Sequence, residues 1–449
     1  MDQFNLFKEL IKKASEARGI KEYEVYYNTS SDIGADTYQN EINTFSSSVG
    51  AFLTYRCIVD GKIGYASTEY MDESEMEPLV DRAVQNAALI EKTDKPIIYG
   101  GAPKEAYHET NNPEFSLPTA AEIKDAVMEY RDIVYATDPM VTDGTSCQVF
   151  ASCGTSHLYN SNGLDLTSSG GTTAAIAMAV LAKDEERLEG YDYLCNKPNA
   201  TKEEKEAFAK QVVDGVKMKF GAGKVKTGKY NVIFDGKQMR SILSTFLSVF
   251  YADSVQKGLS LLKGKVGEKI AADCVTITDD PFYPGNPRMA SFDGEGVPTR
   301  TKNVIENGVL KTFLYNLTTA DKDGVETTGN ASRSVSSIGT RVYTFYLNPG
   351  DCTKDELLQK AGNGIYINEM KGFHAGANAV TGDFSIESAG FLIEDGKLTA
   401  PIKSFTVAGN FFDLLKQITA IDNDLQINAP GYTVASPNVL VPNMSVAGE

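Results

Sequence analysis

The stretch Ala51-Phe-Leu-Thr-Tyr-Arg-Cys-Ile-Val59-Asp60-Gly61-Lys62-Ile-Gly-Tyr-Ala66 decides the fold class. Two apolar-rich runs flank an Asp-Gly pair, which tolerates the positive φ angles of a tight hairpin turn. Asp72 then opens a helix, with Glu75 three residues on in a capping-box pattern. Its stripe is Met76, Leu79, Val80, Ala83, Val84 and Ala87. Toward the N-terminus, Phe4, Phe7, Leu10, Ile11, Ala14 and Ala17 recur at helical spacing until Gly19, and Tyr23, Val25 and Tyr27 alternate as a strand does. An antiparallel hairpin between amphipathic helices is an α+β arrangement, with helices on one face of the sheet. This first module covers residues 1–92.

The plan recurs downstream. Residues 93–118 are rich in Pro, Gly and polar residues and read as a linker. Thr119 with Glu122 repeats the capping box ahead of Ile123, Ala126, Val127, Tyr130 and Val134. Strands are expected around 146–160 and 172–183, on either side of the turn Asn160-Ser161-Asn162-Gly163. Thr201 with Glu204 starts a helix that ends near Gly221. Residues 119–221 are thus a second α+β module, alike in architecture and without a residue-level repeat. From 229 to 449, Gly, Asn, Thr and β-branched residues dominate, and helices are expected only at about 237–256, 354–361 and 409–419. That is a large β-rich C-terminal domain. Ile305-Glu-Asn307-Gly308-Val-Leu310 and Ile393-Glu-Asp395-Gly396-Lys-Leu398 read as two type I′ hairpins, with a duplication as the alternative.

The chain has 449 residues, 42% hydrophobic and 10% aromatic, enough for a sizeable core and two or three domains at roughly 150 residues each. No apolar run approaches the roughly 18 residues of a membrane helix. Met1-Asp-Gln-Phe-Asn-Leu-Phe-Lys-Glu9 carries acids where a signal peptide is basic. A soluble cytoplasmic protein is expected, with no membrane contact. The net charge of −17 argues against a broad nucleic-acid surface, so no direct nucleic-acid binding is expected. Six cysteines without a CxxC pair fit reduced thiols.

Several motifs carry candidate chemistry. Gly223-Lys-Val-Lys-Thr-Gly228-Lys229 nearly matches a phosphate loop, but Tyr230 replaces the hydroxyl residue and the loop runs from helix to strand, the wrong way round. His108-Glu109 has Asn112 where a zincin places its second histidine. His157 sits within a strand and reads as a half-buried sheet residue. His374 lies in the Gly-rich loop Lys371-Gly-Phe-His-Ala-Gly-Ala-Asn378, either meeting a substrate or simply solvated. Phe292-Asp293-Gly294-Glu295-Gly296-Val297-Pro298 sets two acids two apart, each followed by glycine. They can serve an amine, a cation or acid–base chemistry, or cap local N–H groups in a tight turn. Thr328-Gly329-Asn330-Ala331-Ser332-Arg333 offers donors and a cation for a carboxylate or carbonyl, or is an ordinary connecting loop.

The C-terminal half resembles the PmbA/TldD family, named as modulators of DNA gyrase and linked to metallopeptidases. The likeness rests on Phe292-Asp-Gly-Glu-Gly-Val-Pro-Thr299, Ile305-Glu-Asn-Gly-Val-Leu-Lys311, Thr328-Gly-Asn330, Asn348-Pro-Gly350, Gly364-Ile-Tyr366, Thr381-Gly-Asp-Phe-Ser385, Val407-Ala-Gly-Asn410 and Met444-Ser-Val-Ala-Gly448. Upstream, Asp60-Gly61-Lys62-Ile-Gly64 and Asn160-Ser161-x-Gly163 also fit. The resemblance implies three consecutive regions ending in a β-rich domain, a dimer, and work on peptides in the bacterial cytoplasm. In the TldD branch a helix carries His-Glu-x-x-x-His and a C-terminal Cys completes a zinc site. Anchored on Lys257-Gly-Leu-Ser260 and Gly267-Glu268, that slot falls near Leu243–Ser248, which holds no His, Glu or Cys, and no Cys follows Asn423-Asp424. The chain therefore resembles the PmbA (TldE) branch, whose metal site is missing.

The expectation is a PmbA/TldE-like subunit that pairs with a TldD-like zinc-bearing subunit, acts on peptides (peptide or antitoxin processing, gyrase modulation), binds no metal or cofactor itself, and forms a homodimer when alone. The alternatives are a self-sufficient hydrolase using Asp293, Glu295 or His374, and a non-enzymatic gyrase-modulating binding protein. Candidate peptide-binding residues are Asp293, Glu295, Asn330, Arg333 and His374, provided their three loops converge on one cleft.

Overall fold

In the structure, a computed structural model, all residues are described except 1–2, 92–93, 111–114, 198, 287, 336, 426 and 428–432. Asn112, in the zincin comparison, thus lies outside the described residues, as does part of the 93–118 stretch.

Strands β1 (Tyr23–Tyr38), β2 (Glu41–Val59), β3 (Lys62–Thr68), β4 (Ser146–Asn160), β5 (Asp165–Lys183) and β6 (Glu186–Cys195) form one antiparallel sheet, ordered β3-β2-β1-β4-β5-β6. The two helix-and-sheet stretches therefore share a single sheet. β1 pairs with β4 from Glu24↔Asn160 to Asp36↔Gln148, which joins them along nearly the whole strand.

Alternation explains where the helices go. Helices α1 (Gln3–Ala17) and α2 (Met76–Leu89) cover Tyr23, Val25, Tyr27, Leu53, Tyr55 and Cys57. Helices α3 (Ala120–Thr137) and α4 (Lys202–Lys217) cover Ile33, Ala35, Cys147, Val149 and Ala177. All are odd-numbered and in register, so both helix pairs sit on one face. Two of the three expected capping boxes, Thr119/Glu122 and Thr201/Glu204, form. Asp72 instead caps a single 3-10 turn by accepting from the Ser74 N–H, and α2 starts at Met76. Gly64 is dictated by packing: a Cβ there would lie 2.2 Å from the Ala83 carbonyl oxygen of α2.

The even-numbered face receives the C-terminal part. Its strands are β7 (Gly228–Phe234), β8 (Ile277–Asp280), β9 (Lys302–Glu306), β10 (Val309–Leu310), β11 (Ala331–Arg333), β12 (Ile338–Thr340), β13 (Thr344–Leu347), β14 (Gly364–Lys371), β15 (Asp383–Glu394), β16 (Lys397–Asn410), β17 (Ala420–Ile421), β18 (Val434–Ala435) and β19 (Val439–Ala447). Its helices are α5 (Gly236–Phe246), α6 (Ala252–Gln256), α7 (Leu317–Asp323), α8 (Lys354–Ala361), α9 (Phe373–Gly376) and α10 (Phe411–Gln417). The fold class is α+β, with a β-rich C-terminal region as expected. Pairing of β16 with β19 closes β7, β14, β15, β16 and β19 into a barrel, and β10-β9-β8-β13-β18 form a second sheet. Helix α5 contributes Met239, Ile242, Leu243 and Phe246 to the large core that joins the two.

Both Asn-Gly and Asp-Gly hairpins turn through positive φ, at 48° and 80° for Asn307-Gly308 and 49° and 73° for Asp395-Gly396. They belong to different sheets. The stretch 223–229 is a turn into β7 and not a phosphate loop. The six cysteines are free thiols.

Candidate functional site

The acidic turn is built by its own first carboxylate. Asp293 Oδ1 accepts from the N–H groups of Glu295 (2.8 Å) and Val297 (3.0 Å), and Oδ2 accepts from Ala331 N–H (2.9 Å). Gly294 donates to the Ala331 carbonyl at 2.8 Å, so β11 runs against the turn. A Cβ on Gly294 would stand 2.9 Å from the Arg333 nitrogen, which requires glycine. Burial and the neighbouring Glu295 push the Asp293 carboxyl up to about 7. Capping of local N–H groups, one of the two readings of this motif, is thus what the geometry displays for Asp293.

Glu295 and Arg333 enter a buried charge cluster that ties the C-terminal part to the sheet. Arg333 donates through Nε to the Gly294 carbonyl (2.8 Å) and through Nη2 to Glu24, beside the Tyr26 ring. Arg56, opposite Glu24 across β1–β2, lies 3.3 Å from Glu24 and 3.7 Å from Glu295. The Glu295 Oε2 accepts from Leu317 N–H at 2.9 Å. No side chain of the four is more than 8% exposed. Burial raises the Glu295 carboxyl, and Arg56 pulls it back.

Asn330 is fully buried in a neighbouring network. Its Nδ2 donates to Asp279 (2.7 Å) and to the Arg341 carbonyl (2.8 Å), and its Oδ1 accepts from Lys302 (3.1 Å). Two of the three expected loops therefore converge, the acidic turn and the 328–333 loop. The third does not join them. His374 is exposed on α9, which packs against β15, and nothing among the described residues brings it to either acid. The side chains of Asp293, Glu295, Asn330 and Arg333 spend their hydrogen bonds on backbone groups and on Glu24, Asp279 and Lys302, and the hydrolytic constellation of Asp293, Glu295 and His374 is not assembled among the described residues.

An open feature lies where β5, β6 and α4 meet α5, β14 and β16. Two adjoining lobes of ≈ 570 and ≈ 540 Å³ share Glu189, Lys219, Glu369 and Lys371. Glu369 is held between Lys219 (2.5 Å) and Lys371 (2.6 Å). Burial pushes the Glu369 carboxyl up, but these two hydrogen bonds outweigh it and hold it below the usual range. At the second lobe Lys237 pairs with Asp192 at 2.5 Å, and Gln211 donates to the same carboxylate at 2.7 Å. The walls carry six basic and four acidic side chains, a positive excess in a chain of net charge −17. Strand β6, the end of its sheet, borders the cleft through Glu189–Tyr193. A cationic cleft beside an open strand edge suits an extended chain bearing carboxylates. No single motif could have announced it, because its residues come from separate segments. The one local signal was Glu369 and Lys371, two apart on a strand and hence on one side.

The residues at 243–248, where the family resemblance places the slot of the TldD zinc helix, do not fit a metal. Leu243 and Phe246 are fully buried in the core, with Phe246 stacked on Phe411 at 4.6 Å. The Thr245 hydroxyl donates back to the Ser241 carbonyl at 2.8 Å. Cys352, the last cysteine, is buried and directs its thiol to the Ile421 carbonyl. A catalytic zinc needs about three protein ligands and an open position. Among the described residues no group of three or more His, Cys, Asp or Glu side chains gathers to hold an ion.

Comparison with known proteins agrees with this architecture. Residues 227–448 match the family description "PmbA/TldA metallopeptidase C-terminal domain", and residues 23–87 match "PmbA/TldA metallopeptidase domain 1". An uncharacterized protein of Methanocaldococcus jannaschii is 29% identical over 423 residues, 93% of this chain and 95% of that one. The metalloprotease PmbA of Escherichia coli O157:H7 is 27% identical over 226 residues, 50% of this chain and 47% of that one. A Thermotoga maritima structure, described as a candidate modulator of a DNA gyrase, superposes with a TM-score of 0.90 at 28% identity, covering 99% of this chain and 100% of that one. TldE from Thermococcus kodakarensis superposes with a TM-score of 0.82 at 25% identity, covering 99% and 100%. No helix among the described residues is long and apolar enough to cross a membrane. With both matched regions in order and likenesses spanning the full chain, the protein belongs to the PmbA/TldD metallopeptidase family.

Proposed function

We propose that this chain is a zinc-free subunit of the PmbA/TldE type, working in the cytoplasm with a TldD-like metallopeptidase on peptide substrates. What supports the reading is helix α5, where Leu243 and Phe246 fill the core near the slot in which the family resemblance places the zinc ligands of the TldD branch. Its contribution is to hold substrate. The β6 edge offers backbone hydrogen bonds to an extended peptide, while Lys219 and Lys371 attract its carboxylates. The link to DNA gyrase carried in the names of relatives enters here as the downstream effect of such processing.

The test is peptide cleavage by the complex with the zinc-bearing relative. Replacing Lys219 and Lys371 together by alanine is expected to lower processing of acidic peptides on the order of tenfold, mostly through KM, since two charge-assisted contacts are lost. Neutral peptides should respond less. Unchanged processing of both would remove the cleft from the function.

A further inference from the structure

Strand β6 ends its sheet, and its free side borders the second lobe of the cleft through Glu189–Tyr193. In an antiparallel strand the N–H and carbonyl of one residue point to the same side, and alternate residues share that side. Val180, opposite Glu189, sends its own groups away from β6, to Thr142 and Thr145, so the backbone groups of Glu189, Tyr191 and Tyr193 face outward. Two charged side chains close this edge at either end. Lys219 Nζ donates to the Glu189 carbonyl at 3.2 Å, and the Tyr193 N–H donates to Asp192 Oδ1 at 2.8 Å. Between them, no group among the described residues takes the N–H or the carbonyl of Tyr191. Charge along an edge keeps long strands from adding to it. What still fits is the end of a chain, one residue paired with Tyr191.

We infer, on the cleft reading proposed above, that this window takes the free C-terminal carboxylate of a peptide added antiparallel to β6. The strand runs from Glu186 to Cys195, so an antiparallel peptide runs toward Glu189 and ends beside Lys219. Its last residue donates its N–H to the Tyr191 carbonyl. One carboxylate oxygen accepts from the Tyr191 N–H, and the other turns to the Lys219 ammonium. The opposite direction would bring the peptide's N-terminal ammonium against Lys219, a like-charge contact. Lys219 and Lys371 share one carboxylate, Glu369, and across both lobes cations outnumber acids with Glu189 included, so the cleft has charge to spare for an anion. Lys371, 62% exposed against 24% for Lys219, stays open to acidic side chains of the same peptide. A free C-terminus is thus anchored on this chain, and residues upstream of it are left to the zinc-bearing subunit.

Fluorescence anisotropy on the full-length chain isolates the terminal group, with an N-terminally labelled peptide free of acidic side chains made both as free acid and as C-terminal amide. The free acid is expected to bind about tenfold more tightly than the amide, which lacks the charge-assisted contact. Lys219→Ala should bring the free acid down to the level of the amide. Lys371→Ala should leave that difference in place and weaken binding of peptides that carry an internal Glu. Equal binding of free acid and amide by the wild type, a comparison that needs no variant, would overturn the inference. So would a difference that Lys219→Ala leaves intact. In either case, an affinity gain from an internal Glu that Lys371→Ala removes would keep the cleft reading standing. Binding of no peptide form at all would overturn both.

Discussion

Arg333→Met is expected to destabilise the protein by about 3–5 kcal/mol, the cost of breaking a buried ion pair by removing one partner. The variant leaves Glu24 and Glu295 facing Arg56 alone, at a junction where no side chain of the four is more than 8% exposed. It also removes the donor to the Gly294 carbonyl that locks β11 to the acidic turn. The double variant Glu24→Gln/Arg333→Met should cost less than Arg333→Met alone, because it removes an acid and a base together. Urea unfolding of wild type, both single variants and the double variant supplies the cycle. A loss below about 1 kcal/mol for Arg333→Met, the range of exposed pairs, would contradict a desolvated cluster.

The second large effect belongs to Asp293 and depends on pH. Its carboxyl is pushed up to about 7 in the folded chain, by burial and by Glu295, against an ordinary value of about 3.9. Between those values the native state holds a proton that the unfolded state has released. Stability conferred at this site therefore falls as pH rises from about 4 to about 7, by at most about 1.4 kcal/mol per pH unit, and levels off above. Asp293→Asn titrates nothing and loses one acceptor for three backbone N–H groups, a cost of about 1–3 kcal/mol. The stability advantage of wild type over Asp293→Asn should thus be larger at pH 5 than at pH 7.5. A gap that widens with rising pH would show instead that the three N–H donors keep the carboxylate ionised.

How far the sequence reveals this fold depends on how each element meets water. Helices α1, α3 and α4 announce themselves because one face is apolar and the other solvated, so Phe4, Phe7 and Ile11, or Ile123, Val127 and Tyr130, stand out at helical spacing. The hairpin turns at Asp60, Asn307 and Asp395 are legible because positive φ demands those residue types. The outer half of β2 is not. Asn43 to Gly50 are exposed, so no alternation marks a buried face, and the strand extends well beyond the Ala51–Val59 run. Strand β6 and the short helices α7 and α9 carry too few core residues to signal themselves. The sharing of one sheet by both helix pairs depends on long-range pairing of β1 with β4, which local pattern cannot express.

The candidate site divides along the same line. The spacing of Asp293 and Glu295 marked a structured acidic turn, and Asn330 with Arg333 marked the loop that packs against it. What spacing could not convey is their partner. Glu24 and Arg56 reach the cluster from the first sheet, more than 200 residues upstream of Glu295 in the chain. His374 had only its loop composition in its favour, and α9 carries it against β15. The cleft around Glu369 draws on segments from β5 to β16, so it exists only once the chain has folded.

The most direct measurement of the subunit reading is zinc content and peptide cleavage, made on the chain alone, on the zinc-bearing relative alone, and on the co-purified pair. The expected result is no stoichiometric zinc and no cleavage for the chain alone, with chelator-sensitive cleavage by the pair that exceeds that of the relative alone. One equivalent of tightly bound zinc in this chain by itself, with cleavage that a chelator abolishes, would contradict it.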